Sequence, residues 1–173
     1  MKIILIGFMG SGKTAVGQQL GKRLNLDVIE MDAIVLERNK LKDMDELFKI
    51  GGELLLREWE IKLAKEWRDL ENAIISTGGG VVMNKIILDY LCQPFGSVIF
   101  LDVPFEVIKK RVFSDQIARP LFKNVKQAFE LFSHRLPLYK RYADITIKSH
   151  GKDPDVIATE ILTKLSQINE NFS

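Results

Sequence analysis

Short apolar runs rich in β-branched residues alternate along the chain with longer segments that have helical spacing. Runs of this kind predict five buried strands, over Lys2–Ile6, Asp27–Ile29, Ala73–Ser76, Ser97–Leu101 and Asp144–Ile147. The intervening segments predict eight helices, over Lys13–Leu24, Ala33–Asn39, Met44–Ile50, Gly52–Leu70, Lys85–Leu91, Phe105–Phe113, Val125–Ala143 and Asp155–Asn169. Pro137 is a point where the seventh helix could break. The alternation predicts a three-layer α/β/α fold, in which right-handed crossovers connect the strands of a parallel sheet.

Two glycine clusters, Gly51-Gly52 and Gly78-Gly79-Gly80, interrupt this pattern, and neither has the composition of a flexible linker. We therefore expect one domain over residues 1–173, with these glycines in functional or tight turns. Charge, Pro120 and weak periodicity between Phe113 and Asn124 predict a mobile surface segment.

The first predicted strand leads into a glycine-rich segment, Gly7-Phe8-Met9-Gly10-Ser11-Gly12-Lys13-Thr14, that matches G-x-x-x-x-G-K-[ST]. Between a strand and a helix this pattern binds phosphate, because backbone N–H groups wrap the oxygens and the helix N-terminus adds partial positive charge. Lys13 is then expected to reach the β- and γ-phosphates of a nucleoside triphosphate, and Thr14 to offer its hydroxyl to Mg²⁺. An ordinary glycine-rich turn is the alternative.

Composition is that of an ordinary globular protein. Hydrophobic residues make up 46% and charged residues 28% of the 173 positions, and the formal net charge is +2, which indicates neither a nucleic-acid binder nor an acidic tail. The single cysteine, Cys92, excludes an internal disulfide and a multi-thiolate metal site and fits a reducing compartment. No apolar run reaches the roughly 18 residues of a membrane span. We expect a soluble, cytoplasmic protein without nucleic-acid or membrane partners.

Asp32 directly follows the second predicted strand and so belongs at the carboxyl edge of the sheet, where open α/β folds bind ligands. A carboxylate there can orient an acceptor hydroxyl and take its proton. Capping of the helix predicted to begin at Ala33 explains Asp32 equally well. Glu30, on the same face, is either a contact to a magnesium-bound water or a solvated strand end.

Three arginines have a local context that favours anion binding, since a guanidinium donates two parallel hydrogen bonds to a carboxylate or phosphate. Arg57 has Glu60 one helical turn later, and a surface ion pair would explain both. Arg119 and Arg135 each lie near a proline that restricts the backbone. A basic solvated face accounts for the other cationic residues of this region. The glycine triplet at 78–80 either admits a ligand close to bare backbone or forms a simple loop hinge.

Together these motifs resemble the shikimate kinase family. They are, in chain order, the glycine-rich segment ending in Lys13-Thr14, Asp32, Gly-Glu-x-x-x-Arg at 52–57, Ser-Thr-Gly-Gly-Gly at 76–80, Arg-Pro-Leu at 119–121 and Arg-x-Pro-Leu-Tyr at 135–139. The resemblance covers nearly the whole chain. It implies a nucleoside-monophosphate-kinase-like P-loop fold with sheet order 2-3-1-4-5 and a mobile lid at about 113–124. It also implies phosphorylation of the 3-hydroxyl of shikimate by ATP with Mg²⁺, a step towards chorismate and the aromatic amino acids.

The resemblance implies roles for the residues at matching positions. Asp32 would bind the acceptor hydroxyl and act as base, while Lys13 and Arg119 would stabilise the transferring phosphoryl group. Substrate contacts would come from Asp32, Arg57, Gly78, Gly79, Gly80 and Arg135. Nucleotide contacts would come from Gly10, Ser11, Gly12, Lys13, Thr14, Ala15, Arg111, Arg119 and Lys152. Magnesium would be bound by Thr14 directly and by Glu30 through water.

Two positions depart from the family's pattern, because Glu30 stands where an aspartate is usual and Lys152 where some relatives carry arginine. Another small-molecule kinase of the same fold, such as a gluconate kinase, is one competing hypothesis, and a catalytically silent nucleotide-dependent regulator is the other. The two candidate carboxylate-binding arginines favour an acidic substrate. The intact phosphate-binding and acceptor residues favour an enzyme, which we expect to be monomeric.

Overall fold

The computed structural model describes residues 1–114, 122 and 124–170, and its centre is a five-stranded sheet. The strands are β1 (Lys2–Ile6), β2 (Asp27–Glu30), β3 (Ala73–Ser76), β4 (Gly96–Asp102) and β5 (Ile145–Lys148). Their order is β2-β3-β1-β4-β5, and each neighbouring pair is parallel. The predicted α/β class and the sheet order implied by the family resemblance are therefore confirmed.

The described residues form seven α-helices and one turn of 3₁₀ helix at Val81–Met83. The helices are α1 (Lys13–Leu24), α2 (Met31–Asn39), α3 (Met44–Glu66), α4 (Lys85–Leu91), α5 (Phe105–Ser114), α6 (Val125–Tyr142) and α7 (Pro154–Glu170). The predicted lid at about 113–124 falls mostly outside the described residues, and so does Arg119.

Helix α3 combines the two helices predicted at 44–50 and 52–70. The chain bends at Gly52, where φ is 63° and ψ is −157°, a conformation that glycine adopts readily and residues with a β-carbon avoid. Helical structure resumes after the bend and ends at Glu66, earlier than the predicted Leu70. The predicted break at Pro137 does not occur, because α6 continues through this residue.

Two hydrophobic cores cover the two faces of the sheet, and the alternation along β1 divides its side chains between them. Ile3 and Leu5 pack with α1 and α7, whereas Ile4 and Ile6 pack with the helices from α2 to α6. All four side chains are fully buried, as expected for a central parallel strand covered on both faces. The sheet is therefore a rigid platform for the loops at its ends.

The carboxyl ends of parallel strands meet at one edge, so the loops that follow β1, β2 and β3 leave the sheet side by side. The glycine-rich segment at 7–14 follows β1, the junction of β2 with α2 carries Glu30 and Asp32, and the glycine triplet at 78–80 follows β3. In the described part of the chain, no helix has both the length and the apolar character needed to cross a membrane.

Candidate active site

The loop between β1 and α1 is held in a wrapped conformation by its glycines and by Lys13. Gly10 and Gly12 have φ values of 74° and 96°, in the left-handed region that favours glycine. The Lys13 ammonium donates hydrogen bonds to the carbonyl oxygens of Gly7 (2.8 Å) and Phe8 (3.2 Å). The loop thus forms a ring around a positive charge at the start of α1, as a phosphate site requires.

A cavity of about 1150 Å³ extends from this loop across the carboxyl edge of the sheet. This volume is above the range of about 300–1,000 Å³ for single small-molecule sites, so the cavity can hold two ligands side by side. Every candidate site residue that lies in the described part of the chain lines it. These residues are Gly10, Ser11, Gly12, Lys13, Thr14, Ala15, Glu30, Asp32, Arg57, Gly78, Gly79, Gly80, Arg111, Arg135 and Lys152.

Asp32 lies in the first turn of α2 and is not the residue that caps this helix. The N-cap position belongs to Glu30, whose side chain makes no capping hydrogen bond. The capping explanation for Asp32 is therefore wrong. Its carboxylate instead faces the cavity between the glycine-rich loop and the glycine triplet.

The partly buried guanidinium of Arg57 and the buried guanidinium of Arg135 line the cavity, and that of Arg135 lies 5.9 Å from the ring centroid of Phe8 in the glycine-rich loop. Arg57 donates hydrogen bonds to Glu60 through Nη1 and to the Oε1 atom of Glu53 through Nη2 (2.8 Å) and Nε (3.3 Å). The Nη2 atom of Arg135 lies 3.8 Å from the same Glu53 oxygen. Burial lowers the pKa of Arg135, and its Nε atom has no hydrogen-bond partner among the described residues. The part of the cavity lined by Arg57 and Arg135 is therefore suited to an anionic group.

Glu60 is a buried acid that sequence reasoning explained as one half of a surface ion pair. Its side chain has no exposed area, so the surface explanation is wrong. Burial raises the pKa of Glu60 to about 7, against the attraction of Arg57, and the nearby charge of Asp32 adds to the rise. The helical spacing to Arg57 was visible in the sequence, but the burial that gives Glu60 its importance was not.

The glycine triplet at 78–80 allows three side chains to approach the backbone closely. A β-carbon on Gly78 would lie 2.7 Å from both Asp32 Oδ1 and Glu60 Oε1, and one on Gly80 would lie 1.8 Å from the Nη2 atom of Arg57. Tyr139 is fully buried and donates a hydrogen bond from its hydroxyl to the carbonyl oxygen of Gly79. The triplet is thus a fixed wall, and the hinge interpretation is not needed to explain it.

Glu53 and Tyr139 also line or support the site although sequence reasoning did not single them out as site residues. Both belong to motifs that were recognised, because Glu53 is the acid of Gly-Glu-x-x-x-Arg and Tyr139 ends Arg-x-Pro-Leu-Tyr. The motifs were therefore the available signal. What each side chain contacts depends on how α3 and α6 pack against the glycine triplet.

Arg111 and Lys152 also border the cavity. Arg111 donates a hydrogen bond from Nη1 to the carbonyl oxygen of Gly10 (3.2 Å), which brings α5 against the loop. Lys152 donates a hydrogen bond to Glu160 of α7. These contacts hold two cationic side chains at the border of the cavity.

The oxygen donors beside the loop fit a magnesium ion that is shared with a phosphate ligand. Thr14, Glu30 and Asp32 all line the cavity, and no group of three or more His, Cys, Asp or Glu side chains within residues 1–114, 122 and 124–170 forms a metal cage. Magnesium is commonly bound in this way, through one or two protein oxygens together with substrate phosphates and water.

A family model and similar curated proteins point to the same family. The family model for shikimate kinase matches residues 9–166. A shikimate kinase of Aquifex aeolicus is 37% identical over 166 residues, which cover 95% of this chain and 96% of that protein. A shikimate kinase of Haemophilus influenzae is 34% identical over 171 residues, which cover 96% of this chain and 93% of that protein.

Solved structures agree with the sequence comparison. A shikimate kinase from Acinetobacter baumannii in complex with shikimate has a TM-score of 0.88 at 27% identity, over 96% of this chain and 93% of that one. A gluconokinase from Sinorhizobium meliloti has a TM-score of 0.60 at 15% identity, over 99% of this chain and 94% of that one. The second likeness extends to the fold alone.

Proposed function

The chain belongs to the shikimate kinase family, and from this premise we propose the role of each residue in its active site. The activity of the chain is the phosphorylation of shikimate, with ATP as the phosphoryl donor and Mg²⁺ as the metal, in aromatic amino-acid biosynthesis. The finer proposal is that the 3-hydroxyl of shikimate is the acceptor and that residues 1–173 form one domain. The observation that carries the proposed kinase activity is that the Lys13 loop and the Arg57–Arg135 pair line the same cavity.

The glycine-rich loop holds the triphosphate. Backbone N–H groups from Gly10 to Ala15 surround the phosphate oxygens, and Lys13 leaves its carbonyl partners to contact the β- and γ-phosphates. Thr14 and Glu30 hold the magnesium ion, Thr14 directly and Glu30 through water. The bound ion supplies positive charge that offsets the charge of the phosphates.

Asp32 and the two arginines hold the acceptor. Arg57 and Arg135 bind the carboxylate of shikimate, because paired guanidinium groups match the geometry of a carboxylate. The glycine triplet leaves room for the ring next to Asp32. Asp32 accepts the proton of the attacking hydroxyl, and this positioning of acceptor against donor is the main contribution a protein makes to phosphoryl transfer.

Arg119 and the segment around it lie outside the described residues, and their role is proposed from the family's motif alone. Arg119 would bring a positive charge to the transferring phosphoryl group, and a closing lid at about 113–124 would exclude water as a competing acceptor. Arg111 and Lys152 would contact the nucleotide near its base, and both line the cavity.

We further propose that the enzyme acts as a monomer in the cytoplasm, without nucleic-acid or membrane partners. The nearly balanced charge and the single cysteine support this proposal. Equilibrium sedimentation at micromolar concentration measures the mass of the particle, and a dimer mass would contradict the monomer.

Production of ADP tests the proposed function. The protein is incubated with ATP and Mg²⁺ and with one acceptor at a time from a panel of shikimate, quinate, gluconate and nucleoside monophosphates. We expect ADP to form with shikimate and the product to carry phosphate on the 3-hydroxyl, as assigned by ³¹P and ¹H NMR. A stronger signal with gluconate, or phosphate on another hydroxyl, would contradict the proposal.

A further inference from the structure

One carboxylate oxygen lies between the two guanidinium groups that are proposed to bind shikimate. The Oε1 atom of Glu53 accepts hydrogen bonds from Nη2 (2.8 Å) and Nε (3.3 Å) of Arg57. The Nη2 atom of Arg135 is 3.8 Å from the same oxygen. Glu53 thus presents to the two arginines the same chemical group that a carboxylic acid substrate would present.

The charges and exposures around the two arginines indicate which acid could leave them when a substrate binds. Arg57 and Arg135 carry two positive charges, and Glu53 and Glu60 carry up to two negative charges. The Glu60 side chain has no exposed area, whereas the Glu53 side chain is 60% exposed. The arginines are themselves well covered, with side-chain exposures of 15% and 6%. Of the two acids, Glu53 is therefore the one that can move away into water.

The backbone next to Glu53 places this side chain beside Arg57. Glu53 directly follows the bend of α3 at Gly52 and begins the second part of that helix. From there it reaches Arg57 four residues later, in the orientation of acid before base that is favoured on a helix. Arg57 lowers the pKa of Glu53 through their hydrogen bond, so the Glu53 carboxyl is charged at neutral pH.

We propose that Glu53 occupies the substrate-carboxylate site of the free enzyme and weakens shikimate binding, because shikimate must displace it. This inference rests on the proposed carboxylate-binding role of Arg57 and Arg135. Glu53 sets affinity by competition: its carboxylate swings into solvent when the substrate carboxylate takes its place. Binding then exchanges one ion pair for another, and the net electrostatic gain is small.

A different role for Glu53 would have the opposite effect. If Glu53 stayed in place and held Arg57 ready for the substrate, removal of its charge would loosen Arg57 and weaken binding. The two roles are separated by the sign of the change in shikimate affinity. The salt dependence of shikimate affinity also separates the two roles. Only competition predicts that the affinity of the wild type is insensitive to ionic strength, because shikimate then replaces the Glu53 carboxylate in an existing ion pair.

The test is the titration of shikimate by calorimetry into wild type and Glu53→Gln, without nucleotide, at low and high sodium chloride. We expect Glu53→Gln to bind shikimate about two- to fivefold more tightly at low salt, the range of partly exposed ion pairs. We also expect its affinity to fall more steeply with salt than that of wild type. Glu66→Gln is the matched control, since Glu66 pairs with Arg38 on the surface, and its affinity should equal that of wild type.

Unchanged or weaker shikimate binding by Glu53→Gln would refute the proposal that Glu53 competes with the shikimate carboxylate. Arg57→Ala is titrated in parallel to separate this failure from failure of the proposed function. If Arg57→Ala loses shikimate affinity while Glu53→Gln gains none, the carboxylate site stands and the competition is refuted. If Arg57→Ala binds shikimate normally, the carboxylate site itself is refuted, and the inference with it.

Discussion

The guanidinium of Arg57 lies where the side chain of any other residue at position 80 would begin, because a β-carbon on Gly80 would be 1.8 Å from the Nη2 atom of Arg57. The backbone of Gly80 has φ −102° and ψ −1°, which residues with a β-carbon also adopt. The requirement for glycine at this position is therefore spatial and comes from Arg57. In the structure this arginine donates hydrogen bonds to Glu60 and to Glu53.

Gly80→Ala should displace Arg57 and weaken shikimate binding. We expect KM for shikimate to rise about tenfold or more, since a small-to-large change in a packed site costs about 1–3 kcal/mol. Steady-state kinetics at saturating ATP measures this change. In the Arg57→Ala background, Gly80→Ala should add little, because the group it displaces is already gone. Additive effects of the two substitutions would contradict this explanation.

Asp32→Asn should remove turnover and leave ATP binding intact. An amide cannot accept the proton of the attacking hydroxyl, and loss of a general base lowers kcat by about 10²- to 10⁴-fold. The glycine-rich loop is unchanged, so the affinity for ATP, measured by calorimetry, should stay near that of wild type. Asp27→Asn, an exposed acid at the opposite end of β2, is the matched control. Near-normal turnover of Asp32→Asn would exclude Asp32 as the base.

Arg119→Ala should lower the rate of phosphoryl transfer. An arginine that contacts the transferring group contributes on the order of 10³-fold in rate, and alanine offers no charge in its place. Single-turnover kinetics with bound ATP and shikimate isolates this step from product release. Arg141→Ala, an exposed arginine at the end of α6, serves as the control. A normal single-turnover rate would remove Arg119 from the proposed mechanism.

Tyr139→Phe should reduce the stability of the protein by about 1–2 kcal/mol. The substitution keeps the ring that stacks on Phe100 at 5.1 Å but leaves the partly buried Gly79 carbonyl oxygen without its hydroxyl donor. Urea unfolding followed by circular dichroism measures the change. Tyr142→Phe, one turn later in α6 and only partly buried, should change stability by much less. Equal effects of the two substitutions would show that the Gly79 contact is unimportant.

The buried Glu60 should make the protein less stable as pH rises from about 4.5 to 7. Burial raises the pKa of Glu60 from 4.5 to about 7, so in this window the native state holds a proton that the unfolded chain has released. Stability therefore falls with increasing pH, and the loss is complete above the folded pKa. The loss is at most about 3.5 kcal/mol, from the difference between the two pKa values.

Comparison with Glu60→Gln isolates this contribution, because the other acids titrate in both proteins. The free energy of unfolding of wild type minus that of Glu60→Gln should decrease between pH 5 and pH 7.5. Urea unfolding at half-unit pH intervals gives the difference curve. A flat or rising curve would mean that Glu60 is ionised throughout this range in the folded protein.

The glycine-rich loop and the strands illustrate what local sequence can predict. The run from Lys2 to Ile6 is apolar at every position after the lysine, and the structure gives it the predicted range in the centre of the sheet. The loop that follows was predicted from eight consecutive residues, because glycine placement and one lysine determine how such a loop wraps. Both features depend on neighbours in the chain.

Glu60 and Asp32 illustrate the opposite case. In the sequence, Glu60 could be a surface partner of Arg57 and Asp32 could cap a helix. Packing of α3 and α2 against the glycine triplet removed both explanations, since it buried Glu60 and directed Asp32 towards the cavity. The non-helical backbone at Gly52 divides α3 into two parts, as the two predicted helices imply, but the position it gives Glu53 beside the arginines was not predicted.

The sequence by itself thus determined the α/β class, the phosphate-binding loop and the motifs that connect this chain to its family, because these follow from periodicity and from residues close together in the chain. Only the tertiary structure decided which acids are buried, which arginine each one contacts, and that Glu53 lies between two guanidinium groups. These properties arise where α2, α3, α6 and the glycine triplet meet. Burial and charge pairing there depend on contacts between segments that are far apart in the sequence. A local sequence pattern does not determine how closely such segments approach each other in the folded protein.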